Sequence, residues 1–273
     1  MSSVPVLPPP HLAHLDASGA RRALDGLAAE TGVRPVHAVL TGPLAWGLPY
    51  EDKTGAAPLV CAGLFTHPIP AYLGLVEPAD ILRDGGEGDL PPVLLWDARK
   101  ALRLFLRSNA TVWEWISASQ VVEEGGAPIA ALWELAVAGF SRVTLLGHYL
   151  GLAKAAMNAY FQDTPTDAAR IKYMHTVRAL MAVDWILTRD EPPPSDWMTL
   201  RAGTELPSEV AEVLDALALA PLERRRHPAV DAWIDAIFQA SRDKGEGLSD
   251  SHPTADQVDP LLRDLLGPAA KHI

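Results

Sequence analysis

The chain has 273 residues, 48% of them hydrophobic and 21% charged, which suits one large folded domain or two smaller ones with ample length for a core. Its net charge of −11 argues against a large nonspecific nucleic-acid surface, while leaving room for a local basic pocket. The single cysteine, Cys61, excludes an internal disulfide and lies in an apolar run, the setting of a buried, inert thiol. The opening MSSVPVLPPPHLAHLD lacks the basic and apolar regions of a signal peptide, and no segment has the length and apolarity of a membrane span. A cytoplasmic location with no membrane partner is therefore expected.

Residues 1–10 are Pro-rich and read as an extended arm. Asp16 or Ser18 is placed to cap a helix running through Glu30, with Ala20, Leu24, Leu27 and Ala28 on one face and Gly32 as its stop. Two short strands follow, Val36 to Leu40 and Leu59 to Phe65, joined by a Gly-rich connection that begins GPLAWG. Gly42 and Gly47 allow a positive φ or a close backbone approach, as a phosphate cradle needs, although a plain strand–loop–strand has the same pattern. AYLGLVEPADIL reads as a short helix and a turn, residues 84–89 (DGGEGD) as a mobile loop, and Val93 to Trp96 as a third strand.

Asp97 is a good N-cap for the next helix, whose apolar stripe is Ala98, Ala101, Leu102 and Phe105. Arg99, Arg103 and Arg107 recur every four residues and form a basic face, with Lys100 beside it. On spacing alone this is the solvated side of an amphipathic helix. Asn109 interrupts the helix, and Thr111 to Glu114 has the spacing of a capping box. Thereafter the pattern is helical, with segments at Pro128 to Ala138, Ser141 to Phe161, Asp167 to Thr188, Glu209 to Ala220 and Pro228 to Lys244. EPPPSD at residues 191–196 is a rigid break, residues 245–257 read as a flexible linker, and a short helix near Leu261 to Leu266 ends the chain. The expected organisation is a strand-containing domain over residues 1–107 and a helical domain over residues 108–273.

Taken together, GPLAWG (42–47), WDARKALRLFLRSN (96–109), Glu114-Trp115, HYLGLAKAAMNAYF (148–161), IKYMHTVRALMAVDWI (171–186) and PPPSDWMTL (192–200) resemble the bacterial predicted-nucleotidyltransferase family of the DNA polymerase beta superfamily. The resemblance spans roughly residues 36–215 and rests on the order and spacing of the motifs. It implies an α+β fold: a small mixed-sheet nucleotidyltransferase-like domain followed by an all-helical domain, with a nucleotide cleft between them. In the family a Gly-Ser turn cradles the triphosphate and three carboxylates hold two divalent ions, the clamp that in-line nucleotidyl transfer needs.

The chain departs from that pattern. Pro43 replaces the serine, removing a hydroxyl and a backbone N–H. The acid pair is represented by Glu51 and Asp52, adjacent rather than alternating, so that on a strand they face opposite ways. Gly55, Ala56 and Ala57 fall where the metal-binding pair is expected, and Pro92 or Val93 stands where the third acid belongs, with Asp89 the nearest carboxylate upstream. The resemblance assigns the family's polar ligand-binding positions to Gly42, Lys100, Arg103, Asn109, Glu114, His148, Lys154, Lys172 and Arg178. Of these, Lys100, Arg103, Lys172 and Arg178 are expected to share a basic pocket near the Gly42 turn, with His148 close by.

Three functions follow as expectations. The first is a divergent nucleotidyltransferase-fold protein that binds a nucleoside triphosphate, an RNA end or a protein partner through a basic cleft. Its metal site is degenerate, and no metal ligand is assigned. The second is an active enzyme using Glu51, Asp52 and Asp89 with Mg²⁺; magnesium otherwise arrives only with the nucleotide. The third is a non-catalytic scaffold that docks a protein on its helical domain.

Overall fold

The structure, a computed structural model, describes residues 17–48, 59–162, 167–219, 227–268 and 270. The Pro-rich arm and the stretch holding Glu51, Asp52, Gly55, Ala56 and Ala57 lie outside the described residues. The chain divides into two compact units. One comprises Met1–Ala45, Ala57–Gly139 and His252–Ile273, and the other Trp46–Ala56 and Phe140–Ser251.

The first unit holds the sheet. Its strands are β1 (Arg34–Thr41), β2 (Val60–Thr66), β3 (Ile81–Asp84), β4 (Val93–Asp97) and β5 (Val121–Glu123), in the order β3-β4-β2-β1-β5. β2 pairs antiparallel with β1 and parallel with β4, whereas β3 and β5 join antiparallel at the edges. The sheet is therefore mixed, as the fold class requires. β1 and β2 are almost continuous apolar runs because both of their faces are covered.

Helix α1 (Ser18–Thr31) packs Ala20, Leu24 and Leu27 on one face of the sheet, against Leu40, Cys61, Phe65, Val93 and Leu95. Burial pushes the Cys61 thiol up to about 12, which keeps it protonated and unreactive. On the other face lie α3 (Ala98–Phe105) and α4 (Ala110–Ser117), following a short α2 (Ile69–Tyr72). Phe105 stacks on Trp113 at 5.9 Å, and Trp96 meets Trp115 at 4.6 Å. Trp115 and Trp185 are buried and Trp46 and Trp96 half-buried, so none of these four tryptophans is fully exposed, as the apolar patterns around them predict.

β1 and β2 approach closely at Gly63. A bulge between Pro35 and His37 shifts the register there, and a Cβ on Gly63 would lie 2.7 Å from the Cα of Ala38. Only glycine fits that position.

α5 (Gly126–Ala138) and the final helix α11 (Ala255–Leu266) complete this unit, α11 packing on both α3 and α5. The sheet thus takes its fifth strand from beyond residue 107 and part of its cover from the C-terminal segment.

The second unit is helical: α6 (Arg142–Gln162), α7 (Asp167–Thr188), α8 (Trp197–Gly203), α9 (Ser208–Leu219) and α10 (Pro228–Gly245). α6 and α7 pack along one another, α10 rests on both, α9 lies against α10 and α8 against α7. The core between them contains Tyr149, Met174, Val177, Leu180 and Ile186. Arg142 N–H donates to the Ser249 carbonyl at 2.9 Å, and Ser141 forms an antiparallel bridge with Asp250.

Several local expectations are corrected. Ile81 to Asp84 is a strand rather than part of a turn and loop, because it finds an edge on β4. The cap of α4 is Asn109, whose side-chain oxygen accepts from the N–H groups of Thr111 and Val112; Thr111 already lies inside the helix. α1 begins at Ser18 with Ala17 in the cap position. Residues 245–257 are not a free linker: they are pinned at Ser249 and Asp250, and α11 starts at Ala255 behind a Thr254–Gln257 capping box.

Candidate functional site

The turn after β1 begins with Gly42 at φ 105° and ends with Gly47 at φ 71°, conformations that glycine adopts at little cost. Gly42 and Gly47 are buried and Pro43 is half-buried. The register fixes where this turn lies along the sheet. Thr41 pairs with Val60, and the next residue of β2, Cys61, pairs with Val93 of β4. The turn, the start of β2 and the start of β4 therefore share one end of the sheet.

At that end β4 supplies Val93, which is 2% exposed and packed into the α1 core. Asp89, the nearest upstream acid, is turned out to the surface, where its carboxylate accepts from Arg22 at 2.6 Å. Hard divalent ions need convergent carboxylate oxygens. Among the described residues no group of three His, Cys, Asp or Glu side chains is placed to hold a metal ion. The other two acids of the expected triad, Glu51 and Asp52, lie outside the described residues.

The carboxylate that β4 does carry is Asp97, at its opposite end, where Phe65 pairs with Asp97. At about 3.3 Å per residue, the four steps from Val93 to Asp97 carry the chain about 13 Å from the Gly42 end. Asp97 is buried, and both its oxygens are engaged: one accepts from the Arg99 N–H at 2.8 Å, capping α3, and the other from the Tyr72 hydroxyl at 2.6 Å. Burial, together with the bond to Asp97, raises the Tyr72 hydroxyl pKa, so Tyr72 remains a donor. The Arg99 guanidinium lies 4.2 Å above the Tyr72 ring and 3.7 Å from Asp97.

Lys100 belongs to this far end. Its Nζ donates to Asp80 at 2.8 Å, and the backbone N–H of Asp97 donates to the Asp80 carbonyl at 2.9 Å. The structure therefore does not bring Lys100 to the Gly42 turn; it places Lys100 and Arg103 on the wall of a separate hollow of about 420 Å³ between α3 and residues 77–80. Asn109 is spent on capping α4, with Ser108 before it buried in a left-handed conformation at φ 51°. Glu114 is half-buried in α4.

His37 was missed in the sequence because it sits inside an apolar run. It is buried in β1, with Nε2 3.1 Å from the Trp115 carbonyl and Nδ1 accepting from the Gly125 N–H at 3.3 Å. Those partners define the neutral tautomer protonated at Nε2. Burial lowers its pKa, outweighing backbone hydrogen bonding to Trp115 and Glu123 and the charges of Glu124 and Glu123. It ties β1 to α4 and to the start of α5.

In the helical unit the residue that stands out is Arg178 on α7. It is 1% exposed, its guanidinium lies 4.0 Å over the Trp46 ring, and its Nε donates to the Ser195 carbonyl at 2.8 Å. The Trp46 ring stacks on His175 at 5.1 Å, and the Trp46 carbonyl accepts from the Trp197 N–H at 2.7 Å. One arginine thus joins α7, the Trp46 segment and the Pro-rich break. Lys154 extends from α6 over the Phe238 ring at 5.6 Å, His148 is half-buried with its ring edge-on to Tyr149, and Lys172 is half-buried on α7. No helix of the described residues is long and apolar enough to cross a membrane.

Comparison with known proteins agrees with the family resemblance. An uncharacterized protein, YcgL, of Bacillus subtilis (strain 168) is 28% identical over 211 residues, covering 76% of this chain and 77% of its own length. A solved nucleotidyltransferase-like protein from Exiguobacterium sibiricum 255-15 is 12% identical, with a TM-score of 0.29 over 83% of this chain and 77% of that one. The sequence profile of RlaP, the RNA repair pathway DNA polymerase beta family, matches residues 18–264, nearly the whole chain, and the protein belongs to that family as a divergent member of the DNA polymerase beta superfamily.

Proposed function

We propose that the chain is a nucleotidyltransferase-fold protein that binds a nucleotide or another phosphate-bearing ligand, such as an RNA end, and has little or no metal-dependent transfer activity. The observation that carries this reading is the register at the Gly42 end of the sheet. The β4 residue beside Cys61 is the buried Val93, where two-metal transfer calls for a carboxylate. The positive-φ glycines bracketing the turn support retention of a phosphate cradle, with Pro43 reducing its donors by one. Magnesium carried in on nucleotide phosphates needs few protein ligands, so ligand binding does not require an intact acid triad. Basic side chains supply charge to a phosphate, but they do not supply the paired geometry that the attacking and leaving oxygens need.

The test has two arms. Titration with nucleoside triphosphates, with and without magnesium, is expected to give saturable binding. Incubation with labelled triphosphates, magnesium or manganese, and RNA or protein acceptors is expected to give no transfer above background. Transfer abolished by Glu51→Ala or Asp52→Ala would establish an active enzyme and overturn the reading.

A second reading, a protein-docking scaffold, is favoured by one feature. Leu73, Leu75 and Val76 are exposed at 69%, 107% and 83% in the segment after α2. A chain that binds no triphosphate, RNA or other phosphate ligand in these titrations would favour it.

A further inference from the structure

We infer that the hollow beside α3 is a binding site for a phosphate monoester, separate from the Gly42 turn. It does not rest on nucleotide binding at that turn, because the two places lie at opposite ends of β4.

Arg99 is engaged by Asp97 and the Tyr72 ring, and Lys100 by Asp80. Arg103, near the end of α3, and Arg107, in the turn that follows the helix, have no side-chain hydrogen-bond or ion-pair partner among the described residues. Both line the same hollow with like charge, so they repel one another unless an anion joins them. The concentration of charge is also unusual for the chain. The protein carries 23 basic against 34 acidic residues, yet from Ala98 to Trp113 there are four cations and no carboxylate.

The hollow, about 420 Å³, is large enough for a small ligand. Two unpaired guanidinium groups match the double negative charge and three free oxygens of a terminal phosphate, which arginine forks grip in bidentate fashion. The opposite wall carries Glu77 and Asp80. Those carboxylates repel a polyanion continuing through the site, so the walls disfavour a run of phosphodiesters and suit one terminal phosphate. They can also accept hydrogen bonds from the hydroxyls of an attached sugar. Neighbouring groups are already fixed: the Asp97–Arg99–Tyr72 cluster anchors the start of α3, and the Asp80–Lys100 pair ties residues 77–80 to it. The two free arginines are thus mounted on an ordered wall.

A phosphate monoester can come from a free mononucleotide or from the 5′-phosphorylated end of an RNA, and the experiment separates them. A fluorescent ten-nucleotide RNA is titrated by anisotropy in 5′-phosphorylated and 5′-hydroxyl forms, with AMP and inorganic phosphate as competitors. Arg103→Ala/Arg107→Ala is compared with the unmodified chain, and circular dichroism checks its fold; both side chains are exposed. The phosphorylated RNA is expected to bind at least about tenfold more tightly than the hydroxyl form. The double variant is expected to lose that preference, and its log-affinity against log-salt slope should fall by about 1.4, for two lost phosphate contacts. Competition by AMP assigns the site to free nucleotides as well as RNA ends; failure of AMP to compete assigns it to RNA ends. Equal affinity for the two RNA forms, or an unchanged preference in the double variant, overturns the inference. So does a double variant that loses triphosphate binding while keeping the 5′-phosphate preference, since these arginines would then serve the nucleotide site. A double variant that keeps triphosphate binding and loses only the preference supports it.

Discussion

Replacing Gly63 by alanine is a strong test of how β1 and β2 are packed. The new Cβ would stand 2.7 Å from the Cα of Ala38 and closer still to the His37 carbonyl oxygen. Carbon atoms pack at about 3.5–4.0 Å, so the strands must part locally by about 0.8 Å or more. Both obstacles are backbone atoms in central strands, with no flexible side chain to swing aside. Ladder hydrogen bonds near 2.9 Å would stretch to about 3.7 Å, past the range in which they hold. The residues concerned are wholly buried, so water cannot take over. Two such bonds at about 1–3 kcal/mol each give a loss of about 2–6 kcal/mol, a large share of the 5–15 kcal/mol that stabilises a typical domain. The displacement also reaches His37 and, through its bonds, α4 and α5. Differential scanning fluorimetry and urea denaturation should show the melting temperature of Gly63→Ala falling by about 5 °C or more, at 2–4 °C per kcal/mol. A variant that melts within about 2 °C of the parent would refute the close approach.

Two further outcomes follow from the sheet-bearing unit. His37 is held neutral, so between its lowered folded value and the unfolded value of about 6.5 the unfolded chain binds more protons. Stability should therefore be fully present above about pH 6.5 and fall as the pH drops below it, and urea midpoints for His37→Gln should show a flatter dependence between pH 5 and 7; equal slopes would contradict the assignment. Asn109→Ala should cost about 1 kcal/mol through the lost cap. If Asn109 acts only as a cap, Asn109→Asp, which keeps an accepting oxygen, should restore that stability; stability that stays lost in the aspartate variant would contradict the capping role.

How far the sequence leads can be judged residue by residue. β1, β2 and β4 are legible because buried central strands are apolar runs, and Asp97 is legible as a cap by its position before an amphipathic stripe. β3 and β5 are not, since strands of four and three residues at an edge owe their existence to a neighbour rather than to their own pattern. α8 is hidden behind three prolines, and the start of α11 behind a polar run and an internal Pro260. The basic face of α3 is visible in its four-residue spacing, but its distance from the Gly42 turn depends on the parallel β2–β4 register, which no local pattern encodes. The stacking of Arg178 and His175 on Trp46 joins residues far apart in sequence and becomes visible only in three dimensions.

The long helical stretch of the second unit, Phe140–Ser251, leaves and rejoins the rest of the chain at one place, because Ser141 and Arg142 at its start are fastened to Asp250 and Ser249 at its end. This fixes a schedule for folding during synthesis. All five strands are made by Glu123, but α11, which covers α3 and α5, emerges only after the whole helical excursion. A nascent chain that stops before His252 carries a complete sheet with an incomplete roof, and the apolar positions that receive Val258 and Leu265 stay wet until translation is nearly over. The helical unit meets no such delay: its last segment is made before α11, so it can close first and hold Gly139 and His252 near one another while the sheet waits for its cover.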